Sequence, residues 1–323
     1  METKRWNALA GLIAVALAGC GGGGGGGPAP VGNLAITATN QDTVARSGMV
    51  ALQAAVLGGS AGVTAGGSAT LARSAGRAAA LAQRKRIAAV QPPDSQACDV
   101  SGRIVTVFDD RDNSGTANAG DVATITYENC SDVAGEVSNG TIVATYSQVQ
   151  LGATIVIGAS MTGGMTTQTS TATVVTQGGF TMLLRVDATS GSLRITVPSS
   201  LALGITTGLY SDTVTLLSGY ALDSVYDSNA LPPSGTVPGR TTTTASGLVE
   251  SGAAAGNVQL STPQPFVQYD VDAYPRSGQF VAAGRTGVLR ATVQSVAQVL
   301  VELDADGNGS FEASKTVAWS DFF

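Results

Sequence analysis

The chain has 323 residues, 17 basic and 23 acidic side chains, a net charge of −6 and no histidine. The missing imidazole excludes histidine-based triads, the usual zinc sites, haem–His ligation and imidazole pH switching, and the acidic balance argues against a nucleic-acid partner, which needs a basic face. Few charges beside abundant Gly, Thr, Ser, Ala and Val suit a secreted β-protein with hydroxyl-rich outer faces, not a disordered chain.

In chain order, Lys4 and Arg5 precede a short apolar segment that ends in Leu17-Ala18-Gly19-Cys20. A basic start, an apolar middle too short to span a bilayer and small residues at the end read as a secretory signal peptide over residues 1–19. With Cys20 last, the tetrapeptide resembles the lipobox of bacterial lipoproteins. That resemblance implies cleavage just before Cys20, lipidation of its thiol, and a membrane anchor that several acyl chains make effectively permanent. It also implies the outer membrane, on either face, because Gly21 stands where Asp would favour retention at the inner membrane. Gly21 to Gly27 is an unbroken glycine run followed by Pro28-Ala29-Pro30. Such a run joins no core and continues no helix, so residues 20–33 read as a lipidated Cys plus a tether reaching roughly 20 Å.

Residues 34–97 form a helical, low-complexity region. Asn33 to Thr39 is an expected short strand, and a helix is expected from Gln41 to about Leu57, capped by Asn40 or Thr39 and ended by Gly58-Gly59. Residues 58–97 are rich in Ala, Gly and Ser, with a second helix-compatible patch from Ala69 to Ala89. Its Arg84-Lys85-Arg86 cluster reads as a solvated helix face or linker ahead of a contact with anionic lipid headgroups.

From Cys98 the pattern turns to period two. Expected strands are 103–108, 122–127, 141–149, 153–157, 172–176, 180–187 and 193–197, then 213–217, 220–226, 241–249, 266–269, 279–282, 288–293 and 299–303. Gly-Gly, Ser-Gly and Asn-Gly pairs separate many of them, as hairpins require. The fold class is therefore mainly β: a large antiparallel meander, as a sandwich or a curled open barrel, with one or two N-terminal helices and its β-rich domain over 98–323. Arg185, Asp187, Arg194, Arg290 and Glu302 alternate with apolar residues and should point outward, as cross-strand pairs or a polar groove.

Cys98 and Cys130 are expected to form one disulfide in an oxidising envelope. Between them Asp110, Asp112, Ser114, Asn118 and Asp121 occupy positions 1, 3, 5, 9 and 12 of a twelve-residue loop, with Gly115 at 6. The spacing resembles EF-hand and dockerin-type calcium loops, in which alternate residues of a tight turn aim oxygens at one hard cation. A second loop places Asp304, Asp306 and Asn308 at positions 1, 3 and 5 and Gly309 at 6. Lys315 at its position 12 cannot ligate, so Glu312 at position 9 has to supply the other carboxylate. The expected role of Ca2+ is structural. Ordinary Asp/Asn/Gly turns held by side-chain-to-backbone bonds are the competing explanation.

Other motifs fail. Gly58-Gly59-Ser60-Ala61-Gly62 fits a hydrolase elbow pattern, but no histidine exists to activate Ser60. The layout of lipobox, cysteine pair and acidic loops resembles uncharacterised β-rich lipoproteins of Gram-negative bacteria. A non-enzymatic binding or structural role follows, with a glycan, lipid or envelope protein as partner. The alternatives are a His-free hydrolase using paired carboxylates and an integral outer-membrane barrel.

Overall fold

The computed structural model describes residues 32–52, 93–132, 134–208, 210–233 and 238–322. Cys20, the glycine run, the patch from Ala69 to Ala89 and Arg84-Lys85-Arg86 lie outside the described residues. One helix, α1 (Gln41–Leu52), precedes sixteen strands: β1 (Asp94–Ala97), β2 (Ser101–Asp109), β3 (Val122–Ser131), β4 (Glu136–Gln150), β5 (Ile155–Thr169), β6 (Ala172–Val186), β7 (Ser190–Thr196), β8 (Ser200–Thr207), β9 (Ser211–Leu217), β10 (Ala221–Asp227), β11 (Arg240–Ser251), β12 (Gly256–Tyr269), β13 (Ser277–Ala283), β14 (Val288–Ser295), β15 (Gln298–Asp304) and β16 (Ala313–Ala318).

All sixteen strands belong to one sheet, and every pairing is antiparallel. β7 pairs with the second half of β6 and β8 with its first half, so β7 and β8 are one long strand interrupted at Val197-Pro198-Ser199. β9 and β10 are likewise one strand broken at Ser218-Gly219-Tyr220, pairing with β8 and β7 on one side and β11 on the other. Hydrogen bonds from Val197 N–H to the Tyr220 carbonyl and from Gly219 N–H to the Val197 carbonyl bridge the two breaks. With these joined, each strand pairs only with its sequence neighbours, which is the expected meander.

The sheet is apolar on one face and polar on the other. In β4, Ile142, Ala144 and Tyr146 are buried while Thr141, Thr145 and Ser147 are exposed. Ile125, Ile157, Leu203, Leu289 and Val301 come from well-separated strands, yet none exceeds 1% exposure and all share one core cluster. A flat sheet would leave that face wet, so the sheet curls around a single interior. Its edge strands β1 and β16 are not paired to each other. Two glycines show how β5 and β6 bend. Gly163 and Gly178 have φ of +137° and +128°, and an added Cβ would lie 2.2 Å from the Thr141 carbonyl oxygen and 2.5 Å from that of Ser200. Only glycine tolerates that backbone and that approach.

α1 enters this interior. Six consecutive residues, Ser47 to Leu52, are all buried, more than one turn of about 3.6 residues, so no face of that stretch meets solvent. It packs on β9, β11, β13 and β14. The Tyr220 hydroxyl donates to the Ala51 carbonyl at 2.7 Å, satisfying a group near the helix C-terminus. Ser47 Oγ donates at 3.1 Å to Asp212, a buried carboxylate that also accepts from Tyr210 Oη, Ser251 Oγ and the Ala253 N–H. At the helix start, Asp42 pairs with Lys315 of β16.

Three expectations are corrected. Asn33 to Thr39 makes only one parallel bridge, Ala35 to Thr286, because Asn40, Asn257 of β12 and the β13–β14 turn take other backbone groups of the segment. The strands expected at 172–176 and 180–187 are one strand, since Gly178-Gly179 bends the chain instead of turning it. β8 was not expected, although Leu201, Leu203 and Ile205 alternate with polar or small residues.

Candidate metal centres

Hairpin turns alternate between the two ends of the meander. The acidic loop 110–121 joins β2 to β3 at one end. The loop 305–312 joins β15 to β16 at the opposite end, the one where the N-terminal segment crosses the β11–β12 and β13–β14 turns before α1. The Cys98–Cys130 disulfide, with Cα atoms 5.6 Å apart, ties β1–β2 to β3 at this same helix end.

Carboxylate oxygens of Asp110, Asp112 and Asp121 lie within 4.8 Å of one another, and those of Asp304, Asp306 and Glu312 do the same. The two loops share one internal wiring. The carboxylate at position 1 accepts the N–H groups of positions 5 and 6: Ser114 and Gly115 on Asp110, Asn308 and Gly309 on Asp304. The carboxylate at position 3 accepts the position 5 N–H, Ser114 on Asp112 and Asn308 on Asp306. The N–H of position 2 reaches the closing carboxylate, Arg111 to Asp121 at 3.0 Å and Ala305 to Glu312 at 2.9 Å. Positive φ at Asn113 and Gly115, and at Gly307 and Gly309, gives both loops the same two left-handed residues. Glu312 at position 9 thus stands where Asp121 stands at position 12, and Lys315 is spent on Asp42.

The remaining expected ligands are held by the loop itself. Ser114 Oγ donates to the Thr116 carbonyl, and Asn118 Nδ2 donates to Asp112 at 2.9 Å and to Ser114 Oγ at 2.7 Å. Asn308 Nδ2 donates to Asp306 at 2.9 Å. A cation would require the Asn118 amide to turn its oxygen inward.

The donor set fits a hard divalent ion. It is all oxygen and carries three carboxylates per loop. Asp110, Asp121 and Asp304 are only 2%, 1% and 2% exposed, and no Lys or Arg side chain pairs with either triad among the described residues. Burying like charges at this separation raises the free energy of the ionised state. Asp121 shows it: burial, helped by the charges of Asp110 and Asp112, pushes its carboxyl above the usual range against the N–H bonds from Asn118 and Arg111. Asp112, at the surface, is held below the range by hydrogen bonds from Ser114. Cys98, Cys130 and Asp132 also lie together, but both sulfurs are in the disulfide.

Sequence reasoning did not find the Asp212 network or a groove on the outer face of β10–β12 around Asp223. Both are assembled from strands distant in sequence, or from irregularities in strand pairing that leave no local mark. No protein-family model, curated protein or solved structure matches this chain.

Proposed function

We propose that the chain is a cell-envelope lipoprotein, held at the outer membrane through lipid on Cys20, whose calcium-stabilised β-domain is a binding or structural module. The observation that supports it best is the polarity of the two sheet faces. The inner face is packed with Leu, Ile, Val, Met, Phe and α1, while the outer face carries Thr, Ser, Gln and paired charges such as Arg290–Glu302 at 2.7 Å. A membrane-spanning barrel has the reverse arrangement, apolar outside and polar within. A domain built this way belongs in water, reaching the membrane through a tether.

The carboxylate-pair hydrolase has less to stand on. One crevice is lined by Ile142, Met161, Met165, Phe180 and Leu201 with neighbouring Thr and Gly, and holds no carboxylate. The outer groove on β10–β12 holds one, Asp223. Partners of the module are a glycan, a lipid or another envelope protein.

Fractionation of cells expressing the parent and Cys20→Ser tests the anchor. The parent should sediment with outer membranes and the variant should be released; a variant that stays with the membrane refutes the lipid anchor. Millimolar calcium should raise the melting temperature, and Asp110→Ala and Asp304→Ala should each blunt the rise. No response to calcium would leave both loops as ordinary turns.

A further inference from the structure

The outer face carries a row of hydroxyls that runs across the strands. Register pairs Thr145 with Ser160, Ser160 with Thr181, and Thr181 with Thr196. The row continues through Ala221 to Ser246 and Ser261. A chain lying along it meets six hydroxyl side chains on seven successive strands, about 4.8 Å apart, of which Thr181 and Thr196 are hydrogen-bonded to each other and the other four have no partner among the described residues.

At Ala221 the row drops into a groove of about 480 Å3, inside the range of roughly 300–1,000 Å3 for small-molecule clefts. The groove exists because the register shifts in two adjacent ladders, between Thr243 and Ser246 in β11 and between Ser261 and Gln264 in β12. Asp223, Thr244, Ser246 and Ser261 line it, with Pro263 exposed at its rim. The hydroxyls of Thr244, Ser246 and Ser261 have no partner among the described residues, whereas Thr262 is committed to the Ala245 backbone. Asp223 lies 3.6 Å from Arg194, both half-exposed, so the site has one acceptor and one donor of opposite charge and no net charge. Val225, one step along the same face from Asp223, is 51% exposed and adds an apolar contact.

We propose that this groove binds a neutral linear glycan that lies across the strands and continues along the hydroxyl row. Serine and threonine hydroxyls both donate and accept, which matches a ligand whose own groups do both. The Asp223–Arg194 pair supplies charge-assisted bonds to such groups, and its neutrality disfavours anionic and cationic ligands alike. Pro263 and Val225 offer C–H surface to the apolar face of a sugar ring. The proposal rests on the binding-module reading above and names its ligand class.

The test is calorimetric titration of the full chain with maltohexaose, cellohexaose and chitohexaose. At least one hexaose should bind saturably, with a Kd in the region of ~1 mM or tighter, and added salt should change it little. Asp223→Asn keeps the side-chain shape and should weaken binding roughly tenfold, as losing a charge-assisted bond does. Ser261→Leu, which fills the groove, should abolish it. Both variants should melt within a few degrees of the parent, and Arg103→Ala, at an exposed pair with Glu128 on β2–β3, should bind as the parent does. No saturation by any hexaose at about 10 mM, or full affinity in both groove variants, overturns the proposal. Loss of glycan binding while Cys20-dependent membrane association persists would sink this inference alone; release of the parent from membranes would sink the envelope reading and leave the groove untouched.

Discussion

Replacing Asp212 with alanine should cost about 3–5 kcal/mol of stability, from three donors losing a charged acceptor less what water recovers. Asp212 is 7% exposed and is the shared acceptor for Ser47 Oγ at 3.1 Å, Tyr210 Oη at 2.8 Å, Ser251 Oγ at 2.6 Å and the Ala253 N–H at 2.8 Å. Alanine removes all four acceptor contacts at once. Ser47 keeps its 2.8 Å bond to the Thr43 carbonyl, so its hydroxyl is not orphaned. The hydroxyl protons of Tyr210 and Ser251 and the Ala253 amide each lose a charge-assisted partner, at about 1–3 kcal/mol apiece, and water entering the space left by the carboxylate recovers part of that. The loss is large beside a net stability of about 5–15 kcal/mol. Urea unfolding followed by the fluorescence of buried Trp319 reads it directly: the midpoint should fall with little change in slope. A double-mutant cycle with Ser47→Ala should show coupling above ~0.5 kcal/mol, because the two side chains touch. A variant within ~1 kcal/mol of the parent, or strict additivity with Ser47→Ala, would refute the role of Asp212 as the latch of α1.

Further predictions concern the loops, the disulfide and the bend. Asp121 has a folded-state pKa above its unfolded value of about 3.9, so its favourable contribution is full below that value and is lost as pH rises through the folded one. Calcium acts on the ionised form; its stabilising increment in melting temperature should therefore grow between roughly pH 4 and pH 7, and an equal increment at both ends would contradict the site. Reducing Cys98–Cys130, which spans 32 positions, should cost roughly 3–4 kcal/mol by loop entropy, seen as a lower urea midpoint; an unchanged midpoint would show that the surrounding ladder alone fixes β1–β3. Gly163→Ala places a Cβ 2.2 Å from the Thr141 oxygen at a positive φ, so it should destabilise by about 3 kcal/mol or more. Full stability in that variant would mean that β4 and β5 separate more easily than their register implies.

The meander was legible because its information is local. Alternation such as Thr124-Ile125-Thr126-Tyr127 repeats along consecutive strands, and consecutive strands do pair. The acidic loops were legible for the same reason, all candidate ligands lying within twelve residues. Failures came where a local signal has two physical outcomes. Gly178-Gly179 resembles a hairpin turn, yet two glycines can equally bend a continuous strand, and the unbroken pairing of β5 through both of them selects the second. Pro198 and Gly208 bracket an apolar alternation short enough to pass for a loop, which hid β8. Asp212 gave no signal, because its donors Ser47 and Ser251 lie 165 and 39 positions away.

The sequential pairing also sets an order of assembly. Almost every strand finds its partner next to it along the chain, so loop-closure entropy is small at each step and the sheet can zip from either edge with low contact order. α1 is the exception: its receptor strands β9 to β14 lie more than 150 positions downstream. α1 is therefore made before every strand that covers it, and until β9 and β11 have been made its apolar surface has no native partner. A nascent chain of this design leaves the apolar side of α1 without its receptor while the first eight strands are made.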